Sequence, residues 1–121
     1  MFRFIAIVTA AICVVLFVLL LMAPAVYMET YGVTADTAGI FMTQRASPMF
    51  LGFATILWLA RDCRPSQLRS AICFGICAAF MGVALTGIAD YVQGTATAMI
   101  LAAAAGEIVL AVLFWRAGRI S

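Results

Sequence analysis

The segment from Phe4 to Met22 contains a single polar side chain, that of Thr9. An α-helix rises about 1.5 Å per residue, so roughly 20 apolar residues cross the hydrocarbon layer of a membrane. The segment therefore predicts a first membrane span. A secretory signal peptide is the alternative, because Arg3 precedes the apolar run and residues 23–25 resemble a cleavage site. We favour the span because the run is longer than a typical signal core.

The rest of the chain has the same apolar character. Hydrophobic residues make up 67% of the sequence and charged residues only 10%, whereas an ordinary soluble domain has about 25% charged residues. This composition excludes a soluble globular enzyme and a disordered chain. Three further spans are predicted, at residues 38–60, 67–89 and 96–115. The sequence 1–121 is predicted to form one domain.

The predicted connections define the topology. Short turns around residues 61–65 and 91–94 make consecutive helices antiparallel neighbours, whereas residues 23–35 form a longer loop. The sequence thus predicts an all-α fold, a membrane-spanning four-helix bundle with antiparallel up-down topology. Helix starts are predicted after capping residues, namely Asp36 or Thr37, Ser66, and Thr95.

The distribution of arginine predicts the orientation. Basic residues near span ends are retained on the cytoplasmic side of a membrane. Six of the seven arginines fall on one predicted side: Arg3, Arg61, Arg64, Arg69, Arg116 and Arg119. We therefore expect both termini to be cytoplasmic, in a multi-pass protein of the bacterial inner membrane. The net charge of +2 is too small and too scattered for nucleic-acid binding.

Arg45 and Glu107 are charged residues within predicted spans. An intramembrane charge is costly unless it is paired or hydrated. Their estimated depths are similar enough for the arginine side chain to bridge them, so we predict a buried ion pair, with Asp90 as the alternative partner for Arg45. The pair would fix helix register, carry an ion or proton, or line a polar pocket for a lipid or quinone-like ligand.

Pro48 lies inside the second predicted span. Proline removes a backbone donor and clashes with the preceding turn. We expect a kink or a late helix start near Gln44. The alternative is a re-entrant or interfacial segment at residues 39–47 that lines a small outer cavity.

Small residues recur at helical spacing in the third and fourth spans. This spacing lets helix backbones approach closely within lipid. The predicted helix-packing positions are Gly75, Ala79, Gly82, Ala102 and Gly106. Packing inside the bundle is the favoured interpretation, and a contact seam for another subunit is the alternative.

The inventory of reactive side chains is small. The chain contains no histidine and no lysine, which removes the ordinary ligands of haem, the Schiff base of retinal and the histidine base of a hydrolytic triad. Cys73, Cys77 and Met81 follow one another at spacings of four residues. Sulfur ligands at this spacing leave a copper site or a thiol-redox role as alternative interpretations. We predict no metal, no cofactor and no enzymatic activity.

Three stretches carry a resemblance to a known family: residues 22–33, residues 44–62 with an arginine near the start, and residues 106–115 with an internal glutamate. The pattern resembles a family of small bacterial four-helix membrane proteins of unknown function, related in architecture to the DoxX-like proteins. The resemblance implies an architecture and no activity.

These features predict a non-catalytic accessory or structural subunit of a larger inner-membrane complex, such as an energy-transducing one. Its expected partners are membrane lipids and other integral subunits. One alternative is a small homo-oligomeric transporter or channel with Arg45 and Glu107 in its pathway. Another is a lipid- or quinone-binding membrane protein.

Overall fold

The computed structural model describes residues 1–120, with side chains as far as Arg119. Its five helices are α1 (Phe2–Met22), α2 (Pro24–Thr30), α3 (Thr37–Ala60), α4 (Gln67–Val92) and α5 (Met99–Ile120). No β-strand occurs in this part of the chain. The predicted all-α class is confirmed.

Three helices in the described range are long and apolar enough to cross a membrane: α1, α4, and α5 as far as Arg119. Large apolar side chains on these helices also point outward, for example Val15 on α1 and Leu85 on α4. A helix that is apolar on its outward face as well as its packed face suits lipid rather than water. Helix α3 has 24 residues, but polar side chains such as Gln44 and Arg45 lower the hydropathy of its first half.

Two predicted helix caps are confirmed. The Asp36 carboxylate accepts a 2.7 Å hydrogen bond from the Gly39 backbone N–H, and the Ser66 hydroxyl accepts one of 3.2 Å from the Arg69 N–H. Each bond satisfies a donor that the first turn of a helix leaves unpaired. The start of the last helix was predicted wrongly, because α5 begins at Met99 and runs beyond residue 115.

The predicted loop at residues 23–35 contains a helix that the sequence analysis missed. Ala23 has φ −138° and ends α1, and Pro24 begins the seven-residue α2. Proline suits this position because its ring fixes a helical φ and the missing N–H would have no partner there. The chain therefore folds back over the end of the bundle as a short helix.

Helix α3 runs without interruption through Pro48. A late start near Gln44 and a re-entrant segment at 39–47 are therefore both wrong. The hydroxyl of buried Ser47 donates a 2.7 Å hydrogen bond to the Gln44 carbonyl oxygen. In a regular helix this carbonyl would accept a hydrogen bond from the N–H of residue 48, but Pro48 has no N–H.

The helices pack mainly as two pairs, with α1 along α3 and α4 along α5, and α1 also contacts α5. Buried Ala6, Ala10 and Cys13 lie on the inward side of α1, and Leu57 is fully buried on α3. In the second pair, Phe114 is fully buried. A single hydrophobic cluster contains residues of both pairs.

Contacts between helix ends show which parts of the chain lie together. Arg3 pairs with Asp62 at 3.4 Å, joining the start of α1 to the α3–α4 connection. The Ser70 hydroxyl donates a 2.9 Å hydrogen bond to the Gly118 carbonyl, joining the start of α4 to the end of α5. We call this the arginine-rich end, since six of the seven arginines lie in or beside these segments.

The opposite end, which we call the tyrosine end, is held by two other hydrogen bonds. The Gln44 side-chain amide donates to the Leu21 carbonyl at 3.3 Å, which links α3 to the end of α1. The Thr97 backbone N–H donates to the Tyr31 carbonyl at 2.8 Å, which links the residue after α2 to the segment before α5.

The small residues predicted to pack helices together face outward in most cases. Gly75, Gly82, Ala102 and Gly106 are exposed, and only Ala79 is partly buried. A Cβ atom added at Gly75, Gly82 or Gly106 would have no neighbour within 4 Å. Close packing against a neighbouring helix is therefore wrong for Gly75 and Gly82, whereas Ala102 and Gly106 border a cavity between the helices.

Candidate functional site

The candidate site is built around Glu107 on α5. This residue lies about 12 Å along the helix axis from Met99, where α5 begins. Its side chain is partly buried. Within the described residues it forms no hydrogen bond and no ion pair, the ion pairs there being Arg3–Asp62 and Arg61–Asp62. A carboxylate in this setting is available to a ligand.

Helix α2 covers the tyrosine end of the bundle, and two contacts fix its position. Gly32 has φ +76°, a conformation that favours glycine, and packs directly against the Thr97 side chain. At the other side, the Met28 side chain packs against Gly39 near the start of α3. Helix α2 is thus attached to both halves of the molecule.

The attachment of α2 brings two tyrosines to the site. Tyr27 and Tyr31 are four residues apart, and their rings meet edge to face with centroids 5.2 Å apart. Both side chains are partly buried. Both line cavities that Glu107 also lines.

The first of these cavities has a volume of about 460 Å³ and lies between the two helix pairs. Its walls are almost entirely apolar, with Ile12 from α1, Phe50 from α3, Phe80 from α4 and Leu110 from α5. Glu107 is its only charged lining residue. The volume falls within the range of about 300–1,000 Å³ that small-molecule sites occupy.

A second cavity, of about 300 Å³, adjoins the same residues on the side towards the tyrosine end. Its lining is more polar and includes Thr43, Thr86 and Asp90 as well as Glu107. Asp90 is therefore part of the site, although as a neighbour of Glu107 rather than as the predicted partner of Arg45. Both charged residues that line the two cavities are acidic.

The negative charge of Glu107 affects the pKa values of the two tyrosine hydroxyls. Burial first, and then the negative charges of Tyr31 and Glu107, together raise the pKa of Tyr27 to about 12. Burial and then Glu107 also raise the pKa of Tyr31 above its ordinary value.

The predicted ion pair between Arg45 and Glu107 is not formed. Arg45 is exposed, and its guanidinium lies 5.8 Å from the centroid of the Phe41 ring on its own helix. It lines neither cavity. The physical reason is that α3 packs along α1 whereas α5 packs along α4. Arg45 and Glu107 have similar estimated depths in the membrane, but their helices are not close neighbours.

The cysteine stripe on α4 has a structural role at one end. Cys73 is fully buried, and its Cβ atom would lie 3.1 Å from a Cβ added at Gly118. Cys77 and Met81 are partly buried against the hydrophobic cluster. Within the described residues, no three side chains of the types that bind metals come together.

Sequence reasoning found Glu107 and Asp90 but missed the tyrosines as site residues. Tyr27 and Tyr31 closely follow the first predicted span, a position where tyrosine is typical of a membrane interface. The available signal was their spacing of four residues directly after Pro24, which is typical of neighbours on one face of a short helix.

In comparisons with protein families, characterised proteins and solved structures, no family model, no curated protein and no solved structure matches this chain. Functional conclusions therefore depend on the geometry described above.

Proposed function

We propose that this protein is a non-catalytic subunit of a larger complex in the bacterial inner membrane, with four membrane spans and both termini in the cytoplasm. In this proposal α3 also crosses the membrane, together with α1, α4 and α5. The end contacts described above support an up-down arrangement, because consecutive long helices start at opposite ends of the molecule.

Aromatic and basic side chains support the proposed orientation. At the arginine-rich end, the Arg61 guanidinium lies 4.0 Å from the centroid of the Trp58 ring, and that of Arg119 lies 4.8 Å from the centroid of the Trp115 ring. Tryptophan is enriched at membrane interfaces, and arginine is retained on the cytoplasmic side. The arginine-rich end is therefore the cytoplasmic end in this proposal.

The observation that carries the proposal is a face of small residues on α4. Ala71, Gly75, Ala78 and Gly82 follow one another at spacings of four, three and four, and all four are exposed. Open space surrounds both glycines. Helices associate in lipid through close backbone approach at such small residues. Since α5 occupies a different face of α4, this face is free to receive a helix from another subunit.

The test is native mass spectrometry of the tagged protein, extracted from its own membrane in a mild detergent. The wild type should be recovered with a stoichiometric integral membrane companion. The double variant Gly75→Leu and Gly82→Leu should lose that companion, because the larger side chains prevent close approach. Recovery of the wild type alone, as a monomer or homo-oligomer, would reject the proposal.

The matched control is Gly52→Leu on α3. Gly52 is also exposed, and a Cβ added there has no neighbour within 4 Å. The control should retain the companion. Thermal unfolding in detergent should show the same midpoint for the control and the double variant, which separates lost association from lost folding.

A small homo-oligomeric transporter or channel is the second candidate, favoured by the position of Glu107 between two cavities. The 460 Å³ and 300 Å³ cavities share this residue, and the smaller one extends to Asp90 at the tyrosine end. Intramembrane acidic residues commonly mark ion or substrate pathways. This candidate predicts flux in liposomes that Glu107→Gln abolishes, while Glu29→Gln leaves it intact.

A further inference from the structure

The Glu107 carboxylate lines a cavity whose walls are otherwise almost entirely apolar. Its volume is about 460 Å³, and its walls come from α1, α2, α3, α4 and α5. Leu16, Phe50, Val83 and Leu110 contribute apolar surface to those walls. A ligand that fills this space must therefore be largely hydrophobic.

The charged residues that line the two cavities are all acidic. Glu107 lines both cavities, Asp90 lines the smaller one, and no basic residue lines either. Arg45, the basic residue nearest in sequence to this end of α3, is exposed and lies over Phe41 instead. A charge in apolar surroundings is stabilised by an opposite charge. The residues that line the two cavities provide no countercharge to Glu107, and a bound cation would supply one.

The rings of Tyr27 and Tyr31 add a second feature that favours cations. Both line the cavity beside Glu107, and their edge-to-face contact keeps them together. The face of an aromatic ring attracts cations, most strongly where water is excluded. A carboxylate and aromatic rings are groups that attract an organic cation.

Other ligand classes fit these surroundings less well. An anion would meet repulsion from Glu107 and Asp90. A divalent metal ion such as Ca²⁺ takes about six to eight oxygen ligands, whereas the described residues bring no three metal-binding side chains together. A lipid acyl chain would leave the Glu107 carboxylate without a partner.

We propose that this cavity binds a lipophilic organic cation with a single positive charge. The hydrophobic body of the ligand fills the 460 Å³ cavity, and its charged group lies against Glu107 and the rings of Tyr27 and Tyr31. The smaller cavity, which Asp90 lines, shares Glu107, Tyr27 and Tyr31 with this site. Binding requires neither a partner subunit nor transport, so it goes beyond both functions proposed above.

The experiment measures binding of radiolabelled tetraphenylphosphonium to the full chain in nanodiscs of zwitterionic lipid. The wild type should show saturable binding by equilibrium dialysis, with empty nanodiscs subtracted. Glu107→Gln, which keeps the shape and removes the charge, should weaken binding by about tenfold or more. Glu29→Gln is the matched control, because Glu29 is an exposed acidic residue that lines neither cavity.

Tetraphenylborate has nearly the same shape and the opposite charge, so it separates charge recognition from simple hydrophobic binding. It should bind with much lower affinity than tetraphenylphosphonium to the wild type. Equal affinity for both ions, or tetraphenylphosphonium binding that Glu107→Gln leaves unchanged, would overturn the proposal. So would the absence of saturable binding to the wild type.

A second variant tests the location without changing any charge. Gly106 lines the 460 Å³ cavity, and a Cβ there has no neighbour within 4 Å. Gly106→Leu should therefore fill part of the cavity and block tetraphenylphosphonium. Gly82→Leu, at an exposed glycine outside both cavities, should bind like the wild type. Equal binding by these two variants would place the ligand elsewhere and reject the proposed site.

Discussion

The Ser47 hydroxyl donates a 2.7 Å hydrogen bond to the Gln44 carbonyl oxygen, the acceptor that Pro48 leaves without its usual backbone donor. Ser47 is fully buried, whereas Gln44, which carries the accepting carbonyl, is exposed. This hydrogen bond explains how α3 continues through a proline. It also makes the local stability of α3 depend on one hydroxyl.

Ser47→Ala should lower the free energy of unfolding by about 0.5–1.5 kcal/mol, because the Gln44 carbonyl loses the hydroxyl donor that replaces the missing N–H of Pro48. The measurement is unfolding in mixed micelles of increasing SDS fraction, followed by circular dichroism. The control is Thr55→Ala on the same helix, where an exposed hydroxyl donates to the Leu51 carbonyl at 2.8 Å and no proline follows. Equal effects of the two substitutions would contradict this explanation.

Gly32→Ala should displace α2 from the segment before α5. Gly32 and Gly94 both have positive φ, +76° and +81°, but only at Gly32 would a Cβ collide with another residue, Thr97. Gly94→Ala therefore reports backbone strain alone, about 1 kcal/mol. Any loss of thermal stability in Gly32→Ala beyond that in Gly94→Ala measures the collision with Thr97. Identical melting midpoints for the two variants would show that the Thr97 side chain moves away without cost.

Gly118→Ala should destabilise the α4–α5 pair by about 1–3 kcal/mol, the usual cost of overpacking a core. A Cβ there would lie 2.9 Å from the Phe74 ring and 3.1 Å from the Cys73 Cβ. Gly106→Ala on the same helix should be neutral or stabilise by up to about 1 kcal/mol, because the added methyl group meets nothing and alanine favours a helix. SDS unfolding curves of the two variants should therefore shift in opposite directions or differ clearly in size.

Alkaline pH should destabilise the tyrosine end. The pKa of Tyr27 is raised to about 12, mainly by burial and then by the charges of Tyr31 and Glu107. The folded pKa exceeds the ordinary value of about 10, so the stabilisation is fully present below pH 10 and is lost as the pH rises to 12. The loss should be smaller in Tyr27→Phe, which cannot ionise.

The titration of Tyr27 can be followed by the absorbance difference at 295 nm between the wild type and Tyr27→Phe. Glu107→Gln should lower the Tyr27 pKa, since one of the charges that raise it is removed. A Tyr27 pKa near 10 in the folded wild type would show that its hydroxyl is not buried at this site.

The proposed orientation predicts different labelling of the two ends. In a variant with Cys13, Cys73 and Cys77 replaced by alanine, a membrane-impermeant maleimide should modify Cys63 only after the cells are permeabilised. In a cysteine-free background, Glu29→Cys should be modified in intact cells. Cys63 lies in the α3–α4 connection at the arginine-rich end, and Glu29 lies on α2 at the other end. The reverse pattern would invert the orientation.

The sequence predicted the helices well because their causes are local. The apolar runs that form α1 and α4 can be read directly from composition, and the starts of α3 and α4 follow from the side chains of Asp36 and Ser66. Helix α2 was missed because seven residues after a proline carry too little periodicity to distinguish a helix from a loop. Its stability comes from contacts with Thr97 and Gly39.

The neighbours of each side chain could not be predicted in the same way. Glu107 was identified from sequence as an intramembrane acidic residue, yet Arg45 is not its partner and Tyr27 and Tyr31 are its neighbours. Likewise, the spacing of Gly75 and Gly82 is visible in the sequence, but their exposure is not.

The helical and largely apolar character of this chain, and the separation of its charges towards two ends, can be read from the amino-acid sequence. These properties depend on backbone hydrogen bonding within single helices and on transfer of side chains from water to lipid, which act residue by residue. Which helices pair, which glycines are exposed and which groups surround Glu107 became visible only in the folded arrangement. Those relationships depend on the rotation of each helix about its axis, which packing between distant segments sets.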